Sequence, residues 1–137
     1  MFEVSYQRIT DDSPHFANLT SLFKSEWPEY EPEGDSTLPK PIVAIVEGQV
    51  VGGIAYTKFA EPKSDREVIW INAVYVSEGW RHRGIAHKLI FLGRQQVKSQ
   101  SKLYAYTHVP GLYESLGWLR EDKNDQASDV VMSCSLE

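Results

Sequence analysis

One stretch near the middle of the chain constrains the fold more than any other part. An apolar strand over residues 68–76 leads through a turn into an amphipathic helix, and positions 81–86 at its start have the sequence RHRGIA. The unpaired N–H groups at a helix N-terminus attract phosphate, and Gly84 and Ala86 let an anion approach the main chain closely. No Ser, Thr, Asp or Asn lies between Trp80 and Ala86 to cap these groups from within. This pattern predicts a strand–turn–helix unit that binds a phosphate-bearing ligand.

A second motif lies downstream of the first, and together they indicate one family. Residues 111–118 have the sequence GLYESLGW, which resembles the LYExLGF segment near the end of GNAT N-acetyltransferase domains. The motif at 81–86 resembles the acyl-CoA pyrophosphate signature of the same superfamily, Gln/Arg-x-x-Gly-x-Gly/Ala. The resemblance covers residues 40–120 well and the N-terminal third only by layout. It implies an N-acetyltransferase that uses acetyl-CoA as co-substrate.

Hydrophobic periodicity and turn residues predict the remaining elements. Ser13 would cap the first helix with Pro14 at its first position, and prolines break residues 28–41 into an irregular segment. The predicted elements are strands at 2–9, 41–46, 49–59, 67–76, 103–107 and 128–136, and helices at 14–27, 84–99 and 110–116. The second and third strands would form a hairpin at Glu47 and Gly48, and Gly117 would end the last helix as its C-cap. This order indicates one α/β (α+β) domain over residues 1–137. The resemblance implies the GNAT fold, with a mixed, mostly antiparallel central sheet flanked by helices on both faces.

Composition and charge exclude several classes of protein. The formal net charge of −5 disfavours nucleic acid as a partner, because phosphate binding needs a basic face. No run reaches roughly 18 apolar residues, the N-terminus lacks a signal-peptide pattern, and the single cysteine, Cys134, rules out an internal disulfide. The sequence contains no metal-ligand cluster. We therefore expect a cytoplasmic protein without a membrane, nucleic-acid or metal partner, and a homodimer stays open.

The resemblance assigns the cofactor site to the end of the predicted strand and to the turn that follows it. The pantetheine arm of acetyl-CoA would lie along the main chain of Val74, Tyr75 and Val76. The pyrophosphate would bind the turn, which is formed by Arg81, His82, Arg83, Gly84, Ile85, Ala86 and His87. Because backbone N–H groups do the binding, most side chains of the turn are free to vary, while the two arginines would add positive charge.

The resemblance also assigns the general acid. Tyr113 occupies the tyrosine of the second motif, four residues before Gly117. It would protonate the departing thiolate, since a phenol is a competent donor at neutral pH. A backbone N–H near Val74 would polarise the thioester carbonyl. The alternative role for Tyr113 is packing against the sheet.

The general base is not assigned by the resemblance. Relatives that use a carboxylate place it where this chain has Trp70 and Ser101, and neither side chain serves as a base. Period-two alternation puts Asn72 on the strand face of Trp70 and Val74, where it would hold a water that relays the proton. The other candidate bases are His108 and Glu67.

An acidic segment precedes the strands where the family forms its acceptor site, so the sequence predicts a small cationic molecule as the primary-amine acceptor. The acidic residues are Glu26, Glu29, Glu31, Glu33 and Asp35. The candidate substrate-binding residues are Trp27, Glu29, Tyr30 and Trp70. A solvated surface patch explains the charges equally well, and core packing explains the aromatic residues equally well.

Three functions are consistent with these motifs. The first is an acetyltransferase in which the amine attacks acetyl-CoA directly in a ternary complex. The second is a non-catalytic acyl-CoA-binding sensor or partner module, which the missing carboxylate favours and the tyrosine at 113 disfavours. The third is a protein or peptide N-acetyltransferase, which would need an open groove.

Overall fold

The computed structural model describes residues 2–121 and 129–137, which form one sheet of strands and three α-helices. In chain order the elements are β1 (Ser5–Arg8), α1 (Phe16–Glu26), β2 (Ile42–Val46), β3 (Gln49–Ala60), β4 (Glu67–Val76), α2 (Ile85–Gln95), β5 (Lys102–Thr107), α3 (Pro110–Glu114), β6 (Leu119–Arg120) and β7 (Val130–Ser135). A short 3-10 helix, Glu78–Trp80, lies between β4 and α2.

The sheet is mixed and mostly antiparallel, as predicted. Its strand order is β1-β2-β3-β4-β5-β7-β6, with β4 and β5 parallel and every other neighbouring pair antiparallel. The β2 sequence IVAIV and the many Val and Ile residues of β4 suit buried strands. Between β2 and β3 the chain turns at Glu47 and Gly48, whose φ angles of 49° and 80° suit a tight hairpin turn. The predicted fold class and hairpin are confirmed.

Helices cover both faces of the sheet. On one face α1 packs against β3 and β4 through Leu19 and Phe23, which lie four residues apart on one side of the helix. On the other face α2 packs through Leu89 and Ile90, and α3 adds Tyr113 to the same core. The burial of these apolar side chains in two layers holds the sheet between the helices.

β4 and β5 diverge in the middle of the sheet. Only two register pairs join them, Trp70 with Tyr104 and Ile71 with Ala105. The pairing ends where β4 bulges, because β3 residues 55 and 56 pair with residues 73 and 71 and leave Asn72 without a partner on β3. The opening beyond Ile71 provides the space in which the candidate site lies.

The first helix begins later than its sequence predicts. α1 starts at Phe16, and His15 is its N-cap residue, with no side-chain cap. The Ser13 hydroxyl accepts a hydrogen bond from the His15 N–H (3.1 Å), so Ser13 stabilises a turn before the helix. The predicted N-cap at Ser13 and first helical position at Pro14 are therefore wrong.

Other elements also differ from the predictions: β1 begins at Ser5 and not at residue 2, and α3 ends at Glu114 and not at residue 116. α2 ends at Gln95, four residues before the predicted end at 99, because the N–H of Gln96 bonds the Gly93 carbonyl (3.2 Å) in a tight final turn. The two-residue strand β6 was not predicted, since so short a strand has no periodicity to detect. β7 begins at Val130, and the predicted start at Ser128 lies outside the described residues.

Candidate active site

The turn between β4 and α2 presents unpaired backbone donors. Gly84 is the N-cap residue of α2 with a left-handed φ of 81°, and His82 also has a positive φ, 64°. No described side chain caps this helix, so the N–H groups of its first turn stay available to an anion. A Cβ added at Gly84 would meet nothing within 4 Å, so the space beside it is open. The turn has the donors that pyrophosphate needs, and the binding itself stays a prediction.

A pocket of about 460 Å³ lies at this turn. The predicted cofactor residues that line it are Arg81, His82, Gly84, Ile85, Ala86, His87 and Val76. Arg81 donates from Nε to the Val76 carbonyl (2.8 Å), which fixes its charge at the pocket. Arg83 is not among the lining residues, because its guanidinium lies over the Trp80 ring, 4.9 Å from the centroid. The Arg81 guanidinium also lies over an aromatic ring, that of Tyr75 (5.3 Å to the centroid), so the two arginines differ in that only Arg81 lines the pocket.

The end of β4 connects this turn to the middle of the sheet. Val74 and Val76 pack into the α2 side of the core, whereas Tyr75 packs on the α1 side with its ring 6.4 Å from that of Trp27. None of the three is paired with β5. Their main-chain groups on that side are therefore available to a ligand, as the predicted pantetheine contact requires.

A cavity of about 670 Å³ occupies the opening between β4 and β5, and we call it the central cavity. Six residues named from the sequence line it: Trp27, Trp70, Asn72, Val74, His108 and Tyr113. They come from the C-terminal end of α1, from β4, from the end of β5 and from α3, so the fold brings together side chains that are distant in sequence. Leu112 lines both this cavity and the turn pocket, and the two spaces adjoin along α3.

Tyr113 is positioned by the way in which α3 ends. The Trp118 N–H bonds the Tyr113 carbonyl (3.1 Å), the Gly117 N–H bonds the Glu114 carbonyl (3.0 Å), and Gly117 has a φ of 88°. These bonds form a glycine-terminated helix end, as predicted. They place the Trp118 ring edge-on to that of Tyr113, with centroids 5.0 Å apart. The side chain of the candidate acid is thereby fixed at the cavity wall.

The environment of Tyr113 keeps its phenol protonated. The residue is only 4% exposed, and burial raises the pKa of the Tyr113 hydroxyl above its ordinary value. No described residue forms a hydrogen bond with this hydroxyl. The described residues include no fully buried side-chain polar atom without a partner, so the Tyr113 oxygen keeps some exposure to the cavity. A neutral phenol at a cavity wall has the form that a proton donor needs.

Asn72 lies at the bulge, and the period-two argument that placed it is wrong. Val74 packs with Ile69 and Ile71 on the α2 side, whereas Trp70 packs with Tyr104 in a separate cluster. The extra residue in β4 shifts the alternation, so Trp70 and Val74 lie on different faces. Asn72 nevertheless lines the central cavity, as do both of those residues.

Of the two candidate bases named from the sequence, Glu67 and His108, only His108 lines the central cavity. Glu67 pairs with Ala60 at the far end of β4, and neither it nor Ser101 lines the cavity. His108 does line it, directly after β5. A carboxylate that the sequence analysis missed also lines it, that of Asp129, directly before β7. The antiparallel pairing of β5 with β7 was the signal that would have placed this carboxylate beside the site.

A second pocket, of about 290 Å³, adjoins the central cavity on the α1 side, and we call it the acidic pocket. Glu29, Glu31 and Tyr30 line it, and it shares Trp27, Asn72 and Ala73 with the central cavity. Three of the four predicted substrate-binding residues therefore lie together. The fourth, Trp70, lines the central cavity but not the acidic pocket. Its Nε1–H donates to the Phe59 carbonyl (3.2 Å), and its ring packs against that of Tyr104.

Several carboxylates of the acidic segment have other contacts, and Glu31 lies 3.7 Å from the Lys24 ammonium. Glu33 accepts a hydrogen bond from the Thr57 hydroxyl of β3. Asp35 accepts bonds from Thr37 and lies 3.4 Å from the Lys58 ammonium. The contacts of Glu33 and Asp35 attach these carboxylates to the irregular segment and its neighbouring strand. Of the five predicted acidic residues, only the two glutamates at 29 and 31 face the pocket.

Two other features of the described residues concern partners. No described helix has the length and apolar character needed to cross a membrane. Within 2–121 and 129–137 there is no group of three or more His, Cys, Asp or Glu arranged to hold a metal ion.

Solved structures of several acetyltransferases share this fold. Aminoglycoside 6'-N-acetyltransferase complexed with coenzyme A matches with a TM-score of 0.74 at 15% identity, over 97% of each chain. The GNAT family N-acetyltransferase YhbS from Escherichia coli, in complex with CoA, gives 0.67 at 17% identity over 99% of this chain and 82% of that chain. Naa50 of Arabidopsis thaliana, with the bisubstrate analogue CoA-Ac-MVNAL, gives 0.65 at 18% identity over 96% and 98%.

The sequence itself identifies the family. No curated protein matches the chain significantly. The sequence model of the acetyltransferase (GNAT) family, however, matches residues 6–118, which includes both motifs and most of the sheet. The predicted N-acetyltransferase class, with acetyl-CoA as co-substrate, is thereby confirmed at the level of the family. The chain belongs to the acetyltransferase (GNAT) family.

Proposed function

We propose that this protein transfers the acetyl group of acetyl-CoA to a primary amine of a small cationic molecule, with both substrates bound at once. The observation that carries the proposal is the order of three adjoining spaces. Leu112 is shared by the turn pocket and the central cavity, and Trp27 and Asn72 are shared by the central cavity and the acidic pocket. A thioester in the middle would have its phosphates on one side and the amine on the other, which suits direct attack.

Acetyl-CoA would be held mainly by main-chain groups. Its pyrophosphate would accept hydrogen bonds from the N–H groups of residues 82–87, where the helix dipole also favours negative charge. Arg81, fixed by its bond to the end of β4, would add a positive charge. The pantetheine arm would follow residues 74–76, whose main chain is not paired with β5.

The chemistry requires an attacking amine, a stabilised oxyanion and a protonated leaving group. The amine nitrogen would form a bond to the acetyl carbon, and the carbon–sulfur bond would then break. A backbone N–H at the β4 bulge near Val74 would stabilise the oxyanion. Tyr113 would give its proton to the sulfur and regain one from the acetylated nitrogen through solvent. Asn72, at the junction of both pockets, would hold the water or the amine in place.

The acidic pocket supports a cationic acceptor. Glu29 and Glu31 face a space whose other walls include Trp27 and Tyr30, and carboxylates with aromatic rings suit an ammonium group. Burial and the charge of Glu33 raise the pKa of Tyr30 to about 12, so it stays a neutral hydrogen-bonding group there. The fold is shared with an aminoglycoside acetyltransferase, which supports this class of acceptor by analogy only.

The experiment is thiol release from acetyl-CoA, measured with kanamycin, spermidine and a short peptide with a free N-terminus as separate acceptors. We expect release above the acceptor-free rate with at least one of the two small amines, and a mass spectrum showing the acetylated amine. Release with the peptide alone would make the protein a peptide acetyltransferase. Binding of CoA by calorimetry without release for any acceptor would make it a non-catalytic acyl-CoA-binding module.

The location proposed for this activity is the cytoplasm. The support is the single cysteine of the chain, Cys134, which is free and buried in the structure.

A further inference from the structure

We infer that His108 is the general base of the proposed acetyl transfer, and that Asp129 orients it. The inference rests on the proposed function and supplies the group that the mechanism above lacks. Both residues line the central cavity with Tyr113 and Asn72.

The register of two strands places His108 and Asp129 at facing positions, and among the described residues no hydrogen bond or ion pair joins their side chains. β5 and β7 pair antiparallel, and their last pair at this edge is Thr107 with Val130. His108 follows β5 by one residue and Asp129 precedes β7 by one residue, so they occupy the next facing positions. The Val109 N–H bonds the Thr107 hydroxyl (3.0 Å), which turns the chain just there and holds the histidine at the cavity.

The composition of the cavity wall leaves few alternatives. Its titratable side chains, among the described residues, are Tyr106, His108, Tyr113 and Asp129. Tyrosines are poor proton acceptors at neutral pH, and Tyr113 is buried as a neutral phenol. His108 is the one described lining residue with a ring nitrogen that accepts a proton, and Asp129 the one with a carboxylate. Both residues are exposed and line the cavity.

The proposed reaction begins with deprotonation of the substrate amine. The substrate ammonium gives one proton to the free ring nitrogen of His108, directly or through one water held by Asn72. The neutral amine then forms the nitrogen–carbon bond, the carbon–sulfur bond breaks, and Tyr113 protonates the sulfur. The acetylated nitrogen loses its extra proton, which returns through solvent to the Tyr113 phenolate. Once the imidazolium forms, the Asp129 carboxylate would accept a hydrogen bond from its other ring nitrogen and stabilise its charge. The histidine releases its proton to solvent before the next turnover.

The test compares two kinds of amine in the same variants. With kanamycin or spermidine, whichever the wild type acetylates, His108→Ala should lower kcat/KM by roughly 10²-fold, because general base catalysis contributes about that much. Added imidazole should restore part of the loss. With aniline, which is neutral at the assay pH, the same variant should lose less than about threefold. His15→Ala, at the N-cap residue of α1 and not among the cavity-lining residues, and Asp65→Asn, in the exposed β3–β4 turn, are matched controls.

A double-mutant cycle with His108→Ala tests the role of Asp129. If it acts through the histidine, Asp129→Asn should cost roughly tenfold in the wild type and almost nothing in the His108→Ala background. Asp129→Glu, which keeps a carboxylate, should retain most of the activity that Asp129→Asn loses. Calorimetry with CoA establishes that each variant is folded, and His108→Gln replaces His108→Ala if the latter does not bind.

Several results would overturn the inference. They are a His108→Ala rate within threefold of wild type, an equal loss for aniline and the cationic amine, or a loss that imidazole leaves unchanged. Additive effects of the two substitutions would remove Asp129 from the mechanism. A wild type that binds CoA but acetylates no amine would instead refute the proposed function, and the base would be refuted with it.

Discussion

The cofactor turn and the central cavity are built in opposite ways. The turn is a run of consecutive residues, and the cofactor binding proposed for it depends on main-chain N–H groups and on positive φ angles at His82 and Gly84. The cavity is built from side chains that are distant in sequence, such as Trp27, Tyr113 and Asp129. A site built from backbone tolerates most changes of side chain, whereas one built from side chains depends on each of them. We therefore expect substitutions to affect binding in the turn and the rate of chemistry in the cavity.

The largest expected effect is that of Tyr113→Phe. The change removes one hydroxyl and keeps the ring that packs on Trp118, so folding and CoA binding should survive. General acid catalysis contributes about 10²–10⁴-fold, so kcat should fall by that factor while the KM for acetyl-CoA changes little. Steady-state kinetics with calorimetry would measure both quantities.

The control for this change is Tyr104→Phe. Tyr104 lies on β5, is buried and does not line the cavity. Its variant should retain kcat within about threefold. If Tyr113→Phe is equally mild while chemistry limits the rate, the thiolate leaves unaided, and the cavity tolerates side-chain changes as the turn does.

The next effect is that of Gly84→Glu on the turn. The residue would bring a carboxylate beside the pyrophosphate and would force a side chain into a left-handed conformation. We expect affinity for CoA to fall by well over tenfold in calorimetry. The matched control is Gly48→Glu in the β2–β3 hairpin, where φ is also positive and the space is also open. It carries the same backbone strain, so wild-type affinity for Gly84→Glu, or an equal loss in Gly48→Glu, would refute the turn as the site.

The same contrast explains what the sequence predicts well. The turn, the strand before it and the hairpin at Glu47 and Gly48 follow from neighbouring residues, and their predicted positions agree with the structure. The helix ends were predicted less well, because single hydrogen bonds such as that of the Ser13 hydroxyl decide them. Local rules contain little information about such competing turns.

The cavity was less predictable, because it depends on strand pairing. The β4 bulge shifts the alternation at Asn72, and no residue type in that stretch marks where the extra residue falls. Asp129 becomes part of the site only because β7 pairs with β5. Tyr113 was found through its motif and not through local rules. Side-chain sites that need long-range register therefore require the structure.

A smaller effect is expected in the acidic pocket. Glu29→Gln together with Glu31→Gln should raise the KM for a cationic amine by roughly two- to thirtyfold, since exposed charge pairs contribute about 0.2–1 kcal/mol each. The KM for acetyl-CoA should not change. Glu33→Gln is the matched control, because that carboxylate binds Thr57 and does not line the pocket. Unchanged turnover of cationic amines in the double variant would make the pocket a plain surface.

The smallest expected effect is that kcat does not change with pH, and it distinguishes the buried Tyr113 from the exposed turn between β4 and α2. Burial raises the pKa of the Tyr113 hydroxyl above the ordinary 10.0, so the phenol keeps its proton at every pH below that value. For an amine that is already neutral, kcat should therefore show no decline from titration of the acid up to pH 10.0.

The neutral phenol likewise contributes its full stabilisation below the unfolded pKa and loses it only as the pH rises towards the raised folded value. Tyr113→Phe should accordingly flatten the alkaline loss in the free energy of unfolding, measured by denaturant titration across that range. A decline of kcat well below pH 10.0 that Tyr113→Phe abolishes would show a solvated acid, and the cavity would then be as open to water as the turn.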